Sequence, residues 1–301
     1  MRICVMLSSY NGEKYIKEQI DSILAQKIDG EMILLVRDDG STDETKQILN
    51  EYKRKYNNIS WYAGDNLKVA KSFWDLVHSA PDADYYAFCD QDDVWYPDKL
   101  VRAINALEKE AIPALYASNV VVVDQNLNSI GNMVNGEKYT DFPHSLIYSM
   151  APGCTFVFNK EALNILRNFD RSAYIYIHDW LAHQLIAMTG KVIYDSQPSM
   201  MYRQHGNNVI GAPKKGIKKY IAKVKRFLFG EFKCVRSNMA EVILNNYKGE
   251  ISNENKRYLR LVAYYKTDRS IKKELLHEKC FLTNRKYNNL MFKIVVRMNK
   301  L

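Results

Sequence analysis

The sequence predicts an α/β fold: a mostly parallel sheet flanked by helices, followed by a basic helical extension. Three observations predict it. Short apolar runs at 3–7, 32–36, 59–62 and 85–89 alternate with stretches of helical period, the pattern of βαβ units. The runs ICVML, MILLV and YYAFC are continuous rather than alternating, as in strands covered on both faces. Charge also divides along the chain: residues 1–212 carry 20 Lys+Arg against 27 Asp+Glu, net −7, and residues 213–301 carry 23 against 7, net +16. A domain over 1–212 and a basic helical region over 213–301 are therefore expected.

The first run breaks at Ser8-Ser9-Tyr10-Asn11-Gly12, after which Tyr15, Ile16, Gln19, Ile20, Ile23 and Leu24 recur at helical spacing. The second run ends in the turn 38–43, and a helix over 42–56 follows with Ser41 or Thr42 as its cap. The run 59–62 precedes a helix over 69–79, and YYAFC leads to a helix that holds Pro97 in its first turn and extends to Glu110. Residues 114–123 form another strand. The polar stretch 124–143 has no period and is expected to be a functional loop. PGCT at 152–155 enters the strand FVFN and a helix from about Lys160, and a further helix spans 179–188 with His178 and Asp179 at its start. Short strands are expected at 191–194 and 200–203, a boundary at Pro213, and three or four amphipathic helices beyond it.

Composition narrows the function. The 301 residues are 47% hydrophobic and 26% charged, enough for a sizeable core. No run has transmembrane length, and ICVML is too short for a signal h-region, so the chain is expected in the cytoplasm or on the membrane's inner face. Cys4, Cys89, Cys154, Cys234 and Cys280 lie far apart without a C-x-x-C pair, which argues against a disulfide scaffold or a zinc site. Neither G-x-G-x-x-G after the first strand nor G-x-x-x-x-G-K-[ST] occurs, so dinucleotide-binding and P-loop chemistry are not supported. The missing glycine-rich entry loop also disfavours a nucleotidyltransferase.

Acidic corners stand where glycine loops would. FCDQDDVWYPDKL places Asp90, Asp92 and Asp93 between a strand and a helix, where α/β sheets bind ligands. Three ionised carboxylates so close need a cation or many donors to offset their repulsion. Oxygen-rich sites of this kind suit Mg²⁺ or Mn²⁺, which commonly bridge to substrate phosphates. A lone D-x-D is more often a helix-capping turn, so the weight rests on the other segments.

Those segments, SSYNGEKYI, VRDDGSTDET, FCDQDDVWYPDKL, PGCT, HDW and YRQHGNN, together resemble the family 2 glycosyltransferases of GT-A fold, in order over residues 1 to about 210. The similarity extends to bacterial rhamnosyltransferases of cell-wall and capsular polysaccharide synthesis, which use dTDP-L-rhamnose. The resemblance implies that Asp92 ligates the metal, with His205 completing the coordination and Asp90 nearer the ribose. It implies Asp179 as the general base, and Ser9, Tyr10, Asn11, Asp38 and Asp39 around the nucleotide. Lys71 is expected to meet phosphate, and Trp180 to flank the acceptor. Lys68 stands where the family usually has glycine.

Ordinary readings stand beside these. Asp179 at a helix start can be an N-cap, D-D-G-S is a good turn by itself, and a solvated lysine needs no ligand. The segment 214–226 has helical apolar spacing and a cationic face, which fits either an interfacial helix at the inner leaflet or a helix packed on the domain. Nucleic acid is not expected as a partner, because no nucleic-acid-binding motif accompanies the charge. The expected activity is inverting transfer of a sugar to a saccharide or lipid-linked acceptor. A UDP-hexose-dependent transferase and a non-catalytic nucleotide-sugar-binding subunit are the alternatives.

Overall fold

The computed structural model describes residues 1–132, 138–205 and 234–301. β1 (Arg2–Ser9), α1 (Ile16–Leu24), β2 (Glu31–Asp38), α2 (Thr45–Lys55), β3 (Ile59–Ala63), α3 (Lys68–Ser79) and β4 (Tyr85–Cys89) alternate as the sequence predicts. Their strands lie parallel in the order β3-β2-β1-β4. The register puts Ser9 beside Asp38 and Leu7 beside Cys89. The loops that follow these three strands therefore leave the same edge of the sheet, and the candidate site is built there.

The parallel arrangement stops at β4. β5 (Val94–Trp95), α4 (Lys99–Leu107), β6 (Ala114–Val123), β7 (Ser129–Asn132) and α5 (Phe142–Ser145) come next. After a 3₁₀ turn at Gly153–Thr155 come β8 (Val157–Asn159), α6 (Lys160–Arg167), α7 (His178–Thr189) and β9 (Lys191–Arg203). β8 sits antiparallel between β4 and β6, β9 runs parallel to β6, and β5 is antiparallel to β9, so this half of the sheet is mixed. The two short strands expected at 191–194 and 200–203 are one strand, whose register against β6 shifts near Asn119. Part of the expected 124–143 loop is the hairpin strand β7.

Two helix starts differ from expectation for tertiary reasons. Ser41 and Thr42 do not cap α2: Ser41 Oγ accepts the Asn11 N–H at 2.9 Å, and the Thr42 N–H goes to Asn11 Oδ1 at 2.9 Å. The loops after β1 and β2 are thus tied together, and the helix begins three residues later. α4 starts beyond Pro97, whose carbonyl accepts the Lys27 N–H at 2.9 Å, and it ends at Leu107 rather than Glu110.

Side chains of β1 alternate between two cores. Ile3, Val5 and Leu7 pack with α1, α2 and α4; Cys4 and Met6 share a core with α3, α6 and α7. That second core continues into α8 (Val235–Asn246), α9 (Asn253–Tyr264) and α11 (Lys286–Arg297) through Met239, Ile243, Leu259, Val262 and Val295. Between α9 and α11 lies α10 (Arg269–His277). Among the described residues no helix is long and apolar enough to cross a membrane, and all five cysteines are free. The segment 214–226 and Pro213 lie outside the described residues.

α7 is buried nearly all round, and it carries His183 into the core with no partner for either ring nitrogen among the described residues. Burial pushes its imidazole pKa down to about 4 from 6.5. Below pH 6.5 the unfolded chain takes up a proton that the folded chain refuses until about pH 4, so stability falls as pH falls through that window. The expected loss is up to about 3 kcal/mol. A melting series from pH 7 to 4 should show a shallower acid slope for His183→Leu than for the parent chain.

Candidate active site

The loop after β4 carries Asp90-Gln91-Asp92-Asp93 into the crevice at the strand edge. Gln91 locks it to the loop after β1: its Oε1 accepts from Ser9 Oγ at 3.0 Å and from the Tyr10 N–H at 2.9 Å, and its Nε2 donates to the Tyr10 carbonyl at 3.0 Å. The amide is thus engaged on both ends and aims the carboxylates on either side of it in fixed directions. Gly12 leaves it room, since a Cβ there would stand 2.3 Å from Gln91 Oε1.

The acids that this loop gathers repel one another. Asp90 is pushed up to about 7, first by burial, then by the charges of Asp92 and of Asp179. Asp93 is buried and raised well above the usual carboxylate range by desolvation and by Asp92 and Asp90. Its Oδ1 accepts the Arg203 N–H at 3.0 Å, and the Cys154 thiol lies beside the carboxylate. Beneath them Lys99 is fully buried, donates to the Cys154 carbonyl at 2.9 Å, and lies 4.5 Å from the Trp95 ring centroid. Desolvation lowers its pKa to about 8.

The end of β9 closes the corner. Arg203 is buried, with Nε donating to the Asp92 carbonyl at 2.8 Å and Nη1 to the Gln125 carbonyl at 2.7 Å, and it pairs with Glu18. Two residues on, His205 Nε2 lies 2.7 Å from Asp92 Oδ2, and its ring packs 5.0 Å from that of Tyr15. These residues fit a divalent ion. Adjacent ligands around an octahedral Mg²⁺ are separated by about 3 Å, close to the carboxylate–imidazole spacing observed. Behind that pair, an oxygen of Asp90, an oxygen of Asp93 and Cys154 Sγ lie within 4.8 Å of one another.

Asp179 reaches the same cleft from the first turn of α7. Its Oδ2 accepts the Gly153 N–H at 2.8 Å and its Oδ1 the Trp180 N–H at 2.6 Å, so both oxygens are oriented by backbone donors. His178, beside it, stacks on Phe73 with ring centroids 4.1 Å apart, and burial lowers its imidazole pKa. A carboxylate held this way can accept a proton from a hydroxyl that enters the cleft. Gly153 is required for the approach, because a Cβ would fall 2.6 Å from Asp179 Cβ. Gly153→Ala should displace the carboxylate by a large fraction of an ångström and lower turnover about 10²-fold. Steady-state kinetics of the purified variant would check this, and donor binding should be retained.

The expected nucleotide residues are placed unequally. Asp38 is fully buried; its Oδ2 accepts the Gly40 and Ser41 N–H groups at 3.2 and 2.9 Å, and its Oδ1 has no partner among the described residues. Asp39 is occupied structurally: it pairs with buried Arg37 and accepts the Leu67 and Lys68 N–H groups at 2.8 and 3.0 Å. Those bonds hold Lys68 at φ 67°, the left-handed conformation that glycine adopts without cost, so the turn survives the departure from glycine. Asn11 knits two loops, Ser9 is buried, Tyr10 is exposed, and Lys71 is half-buried at the start of α3. Trp180 corrects an expectation. Its indole is 6% exposed and donates Nε1–H to the Ser145 carbonyl at 2.6 Å, so it packs in the core and presents no face to a sugar.

Sequence reasoning gave no role to Gln91, Arg203 or Lys99. Each acts through partners 55 or more positions away in the chain, and no local pattern signals such contacts.

Comparisons with known proteins agree with this geometry. A family profile described as Glycosyl transferase family 2 matches residues 4–166. The chain is 34% identical over 218 residues to the dTDP-rhamnosyl transferase RfbG of Shigella flexneri, covering 68% of this chain and 74% of that protein. Among solved structures, S. aureus TarS 1-349 in complex with UDP-GlcNAc matches with a TM-score of 0.60 at 19% identity, over 98% of this chain and 79% of that one. The mannosyltransferase PcManGT from Pyrobaculum calidifontis, in complex with GDP-Man and Mn²⁺, matches with a TM-score of 0.54 at 14% identity, over 99% and 83%. At these identities the structural likeness speaks to the fold, which is that of the GT-A glycosyltransferases.

Proposed function

Because the chain belongs to glycosyl transferase family 2, we propose that it is an inverting, metal-dependent enzyme that moves L-rhamnose from dTDP-L-rhamnose to a saccharide or lipid-linked acceptor in cell-surface polysaccharide synthesis. What supports the reading is that Asp179 accepts the Gly153 N–H while the adjacent Cys154 lies within 4.8 Å of Asp90 and Asp93, and that the charges of Asp92 and Asp179 both raise the Asp90 pKa. The dTDP-rhamnose donor is favoured by the likeness to RfbG.

In this reading residues 1–212 bind the donor and carry the reaction, and the basic helical region 213–301 associates with the membrane. Asp38, Asp39 and the loop of Ser9, Tyr10 and Asn11 line the nucleotide pocket, Asp90 lies toward the ribose, and Lys71 toward the diphosphate. Asp92 and His205 would hold Mg²⁺ or Mn²⁺, which would offset the charge that develops on the departing diphosphate. Asp179 takes the proton of the acceptor hydroxyl as its oxygen bonds to the anomeric carbon and the bond to the diphosphate oxygen breaks. A single displacement of this kind inverts the anomeric configuration.

A thermal-shift and nucleotide-release screen of nucleotide sugars with Mn²⁺ tests the donor. A response to dTDP-L-rhamnose is expected. A response confined to UDP-hexoses would replace the donor assignment, and binding without release under any acceptor would point to a non-catalytic subunit.

A further inference from the structure

α11 has two apolar faces. Phe292, Val295 and Val296 are buried against the rest of the protein. On the other side, Tyr287 and Leu290 are 43% and 55% exposed, Ile294 is half-buried, and Met298 at the cap is 44% exposed. Steps of three and four residues bring these four side chains into one stripe at 3.6 residues per turn. Lys286, Lys293 and Arg297, seven and four residues apart, form a second stripe alongside it. Residues 285–301 hold five Lys+Arg and no Asp or Glu.

Solvated helices do not ordinarily hold a row of large apolar side chains outward beside a row of cations, whereas helices that lie in a lipid interface do. We infer that the outer face of α11 is a docking surface for an anionic lipid bilayer, with the apolar stripe entering the acyl boundary and the cations at the headgroups. A second copy of the chain fits this face poorly, since pairing like faces would bring the two cationic stripes together. The polyanion of a nucleic acid would leave the apolar stripe without a partner.

The surface is tied to the candidate active site by direct contacts. The Leu282 carbonyl, just before α11, lies 2.9 Å from His144 Nε2, and the Asn284 N–H donates to Tyr139 Oη at 2.9 Å. His144 belongs to α5, whose Ser145 carbonyl accepts from Trp180 and Gln184 of the helix that carries Asp179. The inference rests on the transferase reading only for its purpose, which is to present a lipid-linked acceptor to the cleft.

The test is co-sedimentation of the full chain with vesicles of phosphatidylcholine alone and with added phosphatidylglycerol. Binding is expected only with the anionic lipid and should weaken as salt rises. Leu290→Asp, and separately the pair Lys286→Glu and Lys293→Glu, should each reduce vesicle affinity about tenfold, with melting temperature unchanged. Equal binding to neutral and anionic vesicles, no binding, or variants that bind like the parent would overturn the inference. So would a parent dimer in light scattering that Leu290→Asp dissolves, which would give the face to a second copy. Release of nucleotide from donor in detergent, measured on the same variants, should be unchanged. Its absence in every sample would count against the transferase reading and leave the vesicle result standing.

Discussion

Asp179→Asn should lower sugar transfer about 10³-fold while leaving donor affinity close to that of the parent chain. The amide keeps the shape of the carboxylate and one oxygen to accept from the Gly153 N–H, so the turn at Gly153–Thr155 and the start of α7 should persist. What is lost is the capacity to take a proton from an incoming hydroxyl. The proposed role concerns the acceptor, so the effect should fall on turnover rather than on the donor's KM. Paired titrations of nucleotide sugar and single-turnover assays separate the two. Unchanged turnover would remove Asp179 as the base and revive the reading of a binding subunit.

Asp92→Asn is expected to be comparably damaging, about 10³-fold in turnover, through a different quantity. The substitution removes a charge that faces His205 at 2.7 Å and that raises the Asp90 pKa. Mn²⁺ affinity, followed by calorimetry without donor, should fall with activity. The variant should also move the Asp90 pKa downward from about 7, because one of its two repelling carboxylates is gone. In the parent chain a raised carboxyl pKa means that Asp90 is still partly protonated at neutral pH, so cation binding should release protons there and strengthen as pH rises through about 7. Calorimetry in buffers of different ionisation enthalpy would register that release, and the variant should release fewer. Equal Mn²⁺ affinity in both proteins would place the cation elsewhere.

Much of this arrangement was legible in the sequence because it is local. Continuous apolar runs specified β4 to the residue and the central five residues of β1 and β2, and D-Q-D-D after β4 specified an acidic corner. β8 and β9 were seen as strands, but not their direction or the union of two short strands into one, since neighbour choice in a mixed sheet is decided by contacts far apart in sequence. The cap expected at Ser41 or Thr42 failed for the same kind of reason: Asn11, some thirty residues earlier, competes for those groups and wins. Trp180 was misread because the sequence places an indole beside Asp179 without saying which way it turns. Its N–H finds the Ser145 carbonyl inside the protein, and burial of the ring follows.

The Gln91 amide carries a lesson for anyone who would redesign donor choice. The segment that would meet the nucleobase and the corner that would grip the pyrophosphate are clamped together by one side chain, which spans both through three hydrogen bonds. A graft of residues 9–12 from a relative would import a backbone cut to a different clamp unless position 91 travelled with it. If these loops set donor choice as proposed, specificity would be inherited as a pair of loops and a glutamine, and a library that varies either loop alone would mostly sample misaligned acids.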